Sequence, residues 1–273
     1  FARLVLAAAL LGLVAHSAGR SLLGGQALPW FIVSGVVGFG LGDVAMFGAM
    51  QRIGPRLTMM LTHCLAAPLA AFTEWLWLDT RLGAAEITCA AVILLGVALA
   101  LAPDQGSDVP RRDFWIGVLC GLGSACGQGF GSVLSRKASS FLPQPDGIAG
   151  GIITGATAAY ERIVPAILVA LLFCVLERRA AGPVAPGVWR RAWPWIWANA
   201  LAGPSIGVAV YQWGVATTPT GILMPIVATV PVLTQFLAWK IDGHRPTGRT
   251  ILGGVIAVGG VVAMAAVGGK LRF

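Results

Sequence analysis

Of 273 residues, 57% are apolar and only 11% are charged, whereas a soluble domain carries about 25% charged residues. A water-facing surface cannot be built from that composition, so the chain reads as an integral membrane protein. The formal net charge of +8 does not call for nucleic acid, because most Lys and Arg residues sit between apolar runs, where they meet lipid headgroups.

The apolar runs predict nine spans in chain order: 2–18, 29–50, 57–78, 84–103, 114–138, 150–176, 193–215, 219–240 and 250–267. Each is close to the roughly 20 residues that cross a bilayer. Helices are the expected spanning element, since unpaired backbone groups are too costly in hydrocarbon. A barrel would need strands of about ten alternating residues, and these runs are longer and do not alternate. The first run follows Arg3 closely, and no convincing cleavage site lies in Ser17–Pro29, so it reads as a membrane helix rather than a signal peptide. Short connections end in Gly or Pro, as at Gly54-Pro55, Pro103-Asp104 and Gly182-Pro183. The two longer ones, 138–149 and 177–192, are too short for a soluble domain.

The five cysteines (Cys64, Cys89, Cys120, Cys126, Cys174) all fall inside apolar runs. Their odd number and the lack of a CxxC pair support neither a disulfide framework nor a zinc site; no metal or cofactor is expected. Small residues recur every four positions, as Gly123, Gly127 and Gly131 in the fifth span and as Asn199, Gly203, Gly207 and Tyr211 in the seventh. Such faces let helices approach closely in lipid. Trp189, Trp193, Trp195 and Trp197 cluster at one span end, as an interfacial belt does.

The chain also repeats itself. Pro68 and Asp79 are separated by the same interval as Pro231 and Asp242, Gly96 then aligns with Gly259, and Gly42 matches Gly207 if two residues are inserted. Each half reads as a Gly-rich helix, a short turn, a Pro-containing helix, an acidic turn and a Gly- and Val-rich helix. The halves are 1–103 and 112–267. The second has five spans and the first four, so a further helix ahead of Phe1 is expected. Two five-helix halves would lie in opposite orientations, an inverted-repeat plan with the binding site expected at the midplane between repeats.

In the stretches Gly38–Gly96, which contains "GLGDVAMFGAMQRIGPRLTMM", and Gly203–Val262, which contains "GVAVYQWGVATTPTGILMPIV", the chain resembles the EamA family of the drug/metabolite transporter superfamily. Leu78-Asp79 and Asp242-Gly243 stand where that family usually has a Gly-Glu turn. The resemblance implies an all-α, ten-helix fold of five plus five helices, nine of them in this chain. It also implies export of amino acids, drugs or other small metabolites, or exchange of sugar derivatives in organelles; the expectation here is alternating-access export of an amino acid, amine or similar solute by a multi-pass protein of the plasma (inner) membrane.

Ionisable groups inside spans are costly and tend to face cavities. Asp43 sits mid-span and suits a substrate cation or proton coupling; its alternative is a structural ion pair. His63 and Glu74 share a stripe with Ala66, Ala67 and Ala70, which suggests a cavity wall. The alternatives are a hydrogen-bonded core histidine and an interfacial carboxylate beside Trp75 and Trp77. Glu161 and Arg162 are neighbours that point about 100° apart on a helix. Arg162 therefore takes an acid from elsewhere, Asp43 or Glu74, or faces an anionic substrate. Thr154 and Thr157 share the face of Glu161. Gln128 and Gln212 are further substrate candidates, with interhelical hydrogen bonding as the alternative.

Gly203-Pro204-Ser205-Ile206-Gly207 matches the G-x-S-x-G of hydrolases, but that motif works on a strand-to-helix turn and no strand pattern precedes it. A membrane hydrolase using Ser205 and a non-transporting sensor or assembly subunit stand as alternatives to transport. Charge counted on alternate loops places the C-terminus outside by the positive-inside rule, whereas the family resemblance places it inside. Orientation, substrate, coupling ion and homodimer formation stay open at the level of sequence.

Overall fold

The computed structural model describes residues 1–17, 25–101, 110–181, 187–230, 232 and 247–268. Among the described residues every regular element is helical. They are α1 (Ala2–Ser17), α2 (Leu28–Ser34), α3 (Asp43–Leu78), α4 (Ala84–Leu101), α5 (Arg111–Ser139), α6 (Gly147–Ala181), α7 (Val188–Ala200), α8 (Val208–Thr217), α9 (Thr220–Val227) and α10 (Gly248–Gly268). Leu28–Pro55, Ala84–Leu101, Arg111–Ser139 and Gly147–Leu176 are long and apolar enough to cross a membrane; Ala2–Ser17 and Gly248–Met264 are shorter apolar helices. Pro231, Gln235, Asp242 and His244 lie outside the described residues.

Two spans depart from regular α geometry near their middles. Gly35–Gly42 and Leu201–Gly207 are π-helical and join α2 to α3 and α7 to α8. They end at Gly42 and Gly207, the pair that the repeat aligns. A π turn bonds residues five apart instead of four, so the four-residue stripe drawn through Asn199, Gly203, Gly207 and Tyr211 does not keep its register across the segment. Within α3 the chain turns at Gly54, whose φ of 75° and ψ of 165° need a residue without Cβ. Pro55 follows and fixes its own φ.

The chain forms two compact units, Phe1–Val44 with Phe130–Thr218, and Ala45–Gly129 with Pro219–Phe273. Each takes chain from both sequence halves. The first unit's core joins Leu4, Ala7 and Leu11 of α1 to Ala156, Ala159 and Ile163 of α6 and Ala209 of α8. α6 and α8 touch at backbone level: a Cβ on Gly155 would lie 2.2 Å from the Ala209 carbonyl oxygen. Arg136 closes the end of α8 by donating to the carbonyls of Val215 (2.9 Å) and Thr218 (2.6 Å), two acceptors that a helix C-terminus leaves open.

The second unit's core is formed by Ile93, Val97, Ala100 and Leu101 of α4 with Ile222 of α9 and Ala257 and Met264 of α10. Gly96 lets α4 and α10 meet: its Cβ would fall 2.6 Å from the Ala257 nitrogen and 2.8 Å from the Gly253 oxygen. Gly253 does the reverse, at 2.5 Å from both the Ala100 nitrogen and the Gly96 oxygen. Small residues bring the backbones together because lipid supplies no hydrophobic drive.

Candidate functional site

The first unit gathers Asp43, Glu161, Arg162 and Gln212. Its geometry starts with a glycine. A Cβ on Gly35 would lie 2.0 Å from the Arg162 carbonyl oxygen, so the first π segment packs directly on the α6 backbone. That contact sets the Arg162 guanidinium over the Phe39 ring, 4.9 Å from its centroid, within cation–π range. Gly131 of α5 also faces the guanidinium, its would-be Cβ 3.3 Å from Arg162 Nη2.

Arg162 is 2% exposed, and its Nε and Nη1 find no hydrogen-bond partner among the described residues. Gln212 on α8 is 1% exposed, with both amide atoms unpartnered in the same sense. A buried polar group left unsatisfied costs about 1–3 kcal/mol, and such groups in native proteins point to a bound partner or a functional role. Tyr211 hydrogen-bonds Ser132 and lies within electrostatic reach of Arg162. Thr154, Thr157 and Glu161 are all buried along α6, as their shared face predicts.

Asp43 begins α3 directly after the π segment and forms an ion pair with Arg3 of α1, the two side chains being 9% and 24% exposed. Arg3 also reaches Asn199 Oδ1 at 3.5 Å, and Asp43 lies within electrostatic reach of Arg162. Of the two acids that sequence offered to Arg162, Asp43 is therefore bonded to a different arginine. A salt bridge forty residues apart in sequence has no local signal.

His63 and Gln128 belong to the second unit, where both are half-buried. The stripe between His63 and Glu74 is packed helix surface: Ala66, Ala67 and Ala70 are buried, and Gly129 of α5 faces the Ala66 oxygen, Leu69 and the Ala70 nitrogen. Glu74 is a capping carboxylate. At 1% exposure it caps α9, its Oε2 accepting from the Thr220 nitrogen at 2.7 Å and from the Thr220 hydroxyl. A carboxylate at a helix N-terminus meets unpaired N–H groups and the positive end of the helix dipole.

Ser205 lies inside the second π segment and donates to the Ala200 carbonyl at 2.8 Å, five residues back. No strand-to-helix turn presents it, so the elbow geometry that a serine nucleophile requires is missing at this position.

Comparison with known proteins agrees with these elements. The chain has no match among curated proteins. A solved crystal structure of a protein, 22% identical, aligns with 100% of this chain and 89% of its own at a TM-score of 0.72, a likeness of fold. The model of the EamA-like transporter family matches residues 1–102 and again residues 115–266. Two matches over nearly the whole length, on an apolar all-helical chain, place this multi-pass membrane protein in the EamA-like transporter family.

Proposed function

We propose that the protein exports a small metabolite, an amino acid or amine, across the plasma (inner) membrane by alternating access of its two oppositely oriented repeats. The observation that carries this reading is Arg162, a buried cation whose Nε and Nη1 make no hydrogen bond among the described residues, in the same unit as Gln212, whose amide atoms are unpartnered in the same sense. Arginine suits a carboxylate, and Gln212 offers both a donor and an acceptor to a polar solute. Asp43 and Glu161 are buried carboxylates of the same unit, and protonation of one of them is the proposed coupling step.

The test is solute counterflow in proteoliposomes with pooled, labelled amino acids, amines and organic acids. A charge-assisted hydrogen bond contributes about 1.5–3 kcal/mol, so Arg162→Ala is expected to lower uptake of a carboxylate solute at limiting concentration by roughly 10- to 100-fold. Asp43→Asn is expected to lower uptake of amine-bearing solutes. If folded wild-type protein moves no pool, export of such metabolites is ruled out.

A further inference from the structure

Asp43 and Arg3 are unequal partners. The carboxylate is the more deeply set, and the guanidinium sits on a long side chain at the first turn of α1. Arg3 divides its donors: Nη2 goes to Asp43, while Nη1 reaches the exposed Asn199. It thus already touches a neutral acceptor that can hold it if Asp43 is taken by another cation. Both acceptors stand at the ends of π segments, Asp43 directly after Gly42 and Asn199 two residues before Leu201.

We infer that Asp43 binds the ammonium group of the transported solute and that Arg3 is the resident cation it displaces, with Asn199 and the solvent edge receiving the displaced guanidinium. An uncompensated buried carboxylate is strongly destabilising, and a tethered cation prevents that state whenever no solute is present. Charge at Asp43 is conserved through the exchange, because one cation arrives as another withdraws. This assigns Asp43 to cation binding and leaves Glu161 as the coupling acid. The identity of the solute rests on the transport reading; the exchange of cations at Asp43 does not.

The exchange is tested on the purified full chain in detergent. Arg3→Ala lowers the melting temperature, and millimolar ethylammonium or ethylguanidinium, small cations that replace the missing head group, restores it while sodium at equal ionic strength does not. Arg3→Ala/Asp43→Asn shows no restoration. A wild-type melting temperature in Arg3→Ala, or recovery that sodium matches or that persists in the double variant, overturns the inference. In counterflow, Arg3→Gln lowers the apparent KM of amine-bearing solutes about tenfold, as for loss of a single charge-assisted competitor, and leaves amine-free carboxylates unchanged. An unchanged amine KM overturns the surrogate role even if the melting rescue succeeds. Absence of all transport by wild type removes the export reading, and the melting series then decides the cation exchange alone. Should Arg3→Ala not fold, Asn199→Leu at an exposed position gives the same decision: a raised amine KM supports the inference, and an unaltered one overturns it.

Discussion

The contact of α4 with α10 makes opposite predictions for two glycines that the sequence repeat treats as equivalents. In Gly96→Ala the new methyl lies 2.6 Å from the Ala257 nitrogen and 2.8 Å from the Gly253 oxygen. Both are backbone atoms, so no side chain can swing aside. Reaching the ~3.5 Å at which carbon contacts become favourable requires the helices to part by about 0.9 Å. Overpacking of this kind costs about 1–3 kcal/mol, and the separation also loosens Gly253, whose own would-be Cβ meets Ala100 and Gly96. Gly259 is exposed and has nothing within 4 Å of its would-be Cβ. Gly259→Ala is therefore neutral or stabilising by up to about 1 kcal/mol, the helix-propensity difference. The assay is reversible unfolding of the purified protein in mixed detergent micelles, following tryptophan emission or circular dichroism. The double variant Gly96→Ala/Gly253→Ala should cost less than the sum of the single ones, because the first substitution already opens the interface. If Gly96→Ala proves as stable as Gly259→Ala, the close approach of α4 and α10 is refuted.

Two further predictions concern groups with assigned partners. Glu74→Ala leaves the Thr220 donors of α9 without their buried acceptor, and a loss of about 1.5–3 kcal/mol is expected for a charged hydrogen-bond partner; Glu74→Gln, which retains one acceptor oxygen, falls between. The same unfolding assay reads both, and equal stability of Glu74→Ala and wild type would dismiss the cap. Ser205→Ala removes one hydroxyl-to-carbonyl bond and is expected to cost about 0.5–1.5 kcal/mol. The wild-type protein should not be labelled by a serine-directed phosphonate, and stoichiometric labelling at Ser205 would reopen hydrolase chemistry.

Much of the fold is legible because lipid leaves so few options. A run of about 20 apolar residues must be a helix, and Gly54-Pro55 marks the break between two of them by chemistry that is local to those residues. The start of α7 shows the limit of such reading: Val188 opens the helix five residues before the predicted span, because Trp189, Arg190 and Arg191 suit an interfacial turn that hydropathy alone scores as loop. Of the candidate site, Asp43, Glu161, Arg162 and Gln212 were visible as polar groups in apolar surroundings, and they occur in one unit. The role of Arg3 was hidden, since its partner is set by the packing of α1 and not by spacing. The bonding of Glu74 was hidden for a related reason: the donors it serves lie far along the chain, just beyond Pro219. The π segments leave no mark in hydropathy, which records polarity and not hydrogen-bond register.

Those two segments bear on how the chain tolerates changes of length. Removing one residue from an ordinary membrane helix rotates everything beyond it by about 100°, which exposes polar groups to lipid. A π segment holds a residue in excess of the α repeat, so a deletion there can be absorbed by tightening the turn to α geometry. Gaps between relatives of this chain therefore have a natural home inside the membrane, at residues 35–42 and 201–207, as well as in the loops where insertions are usually sought.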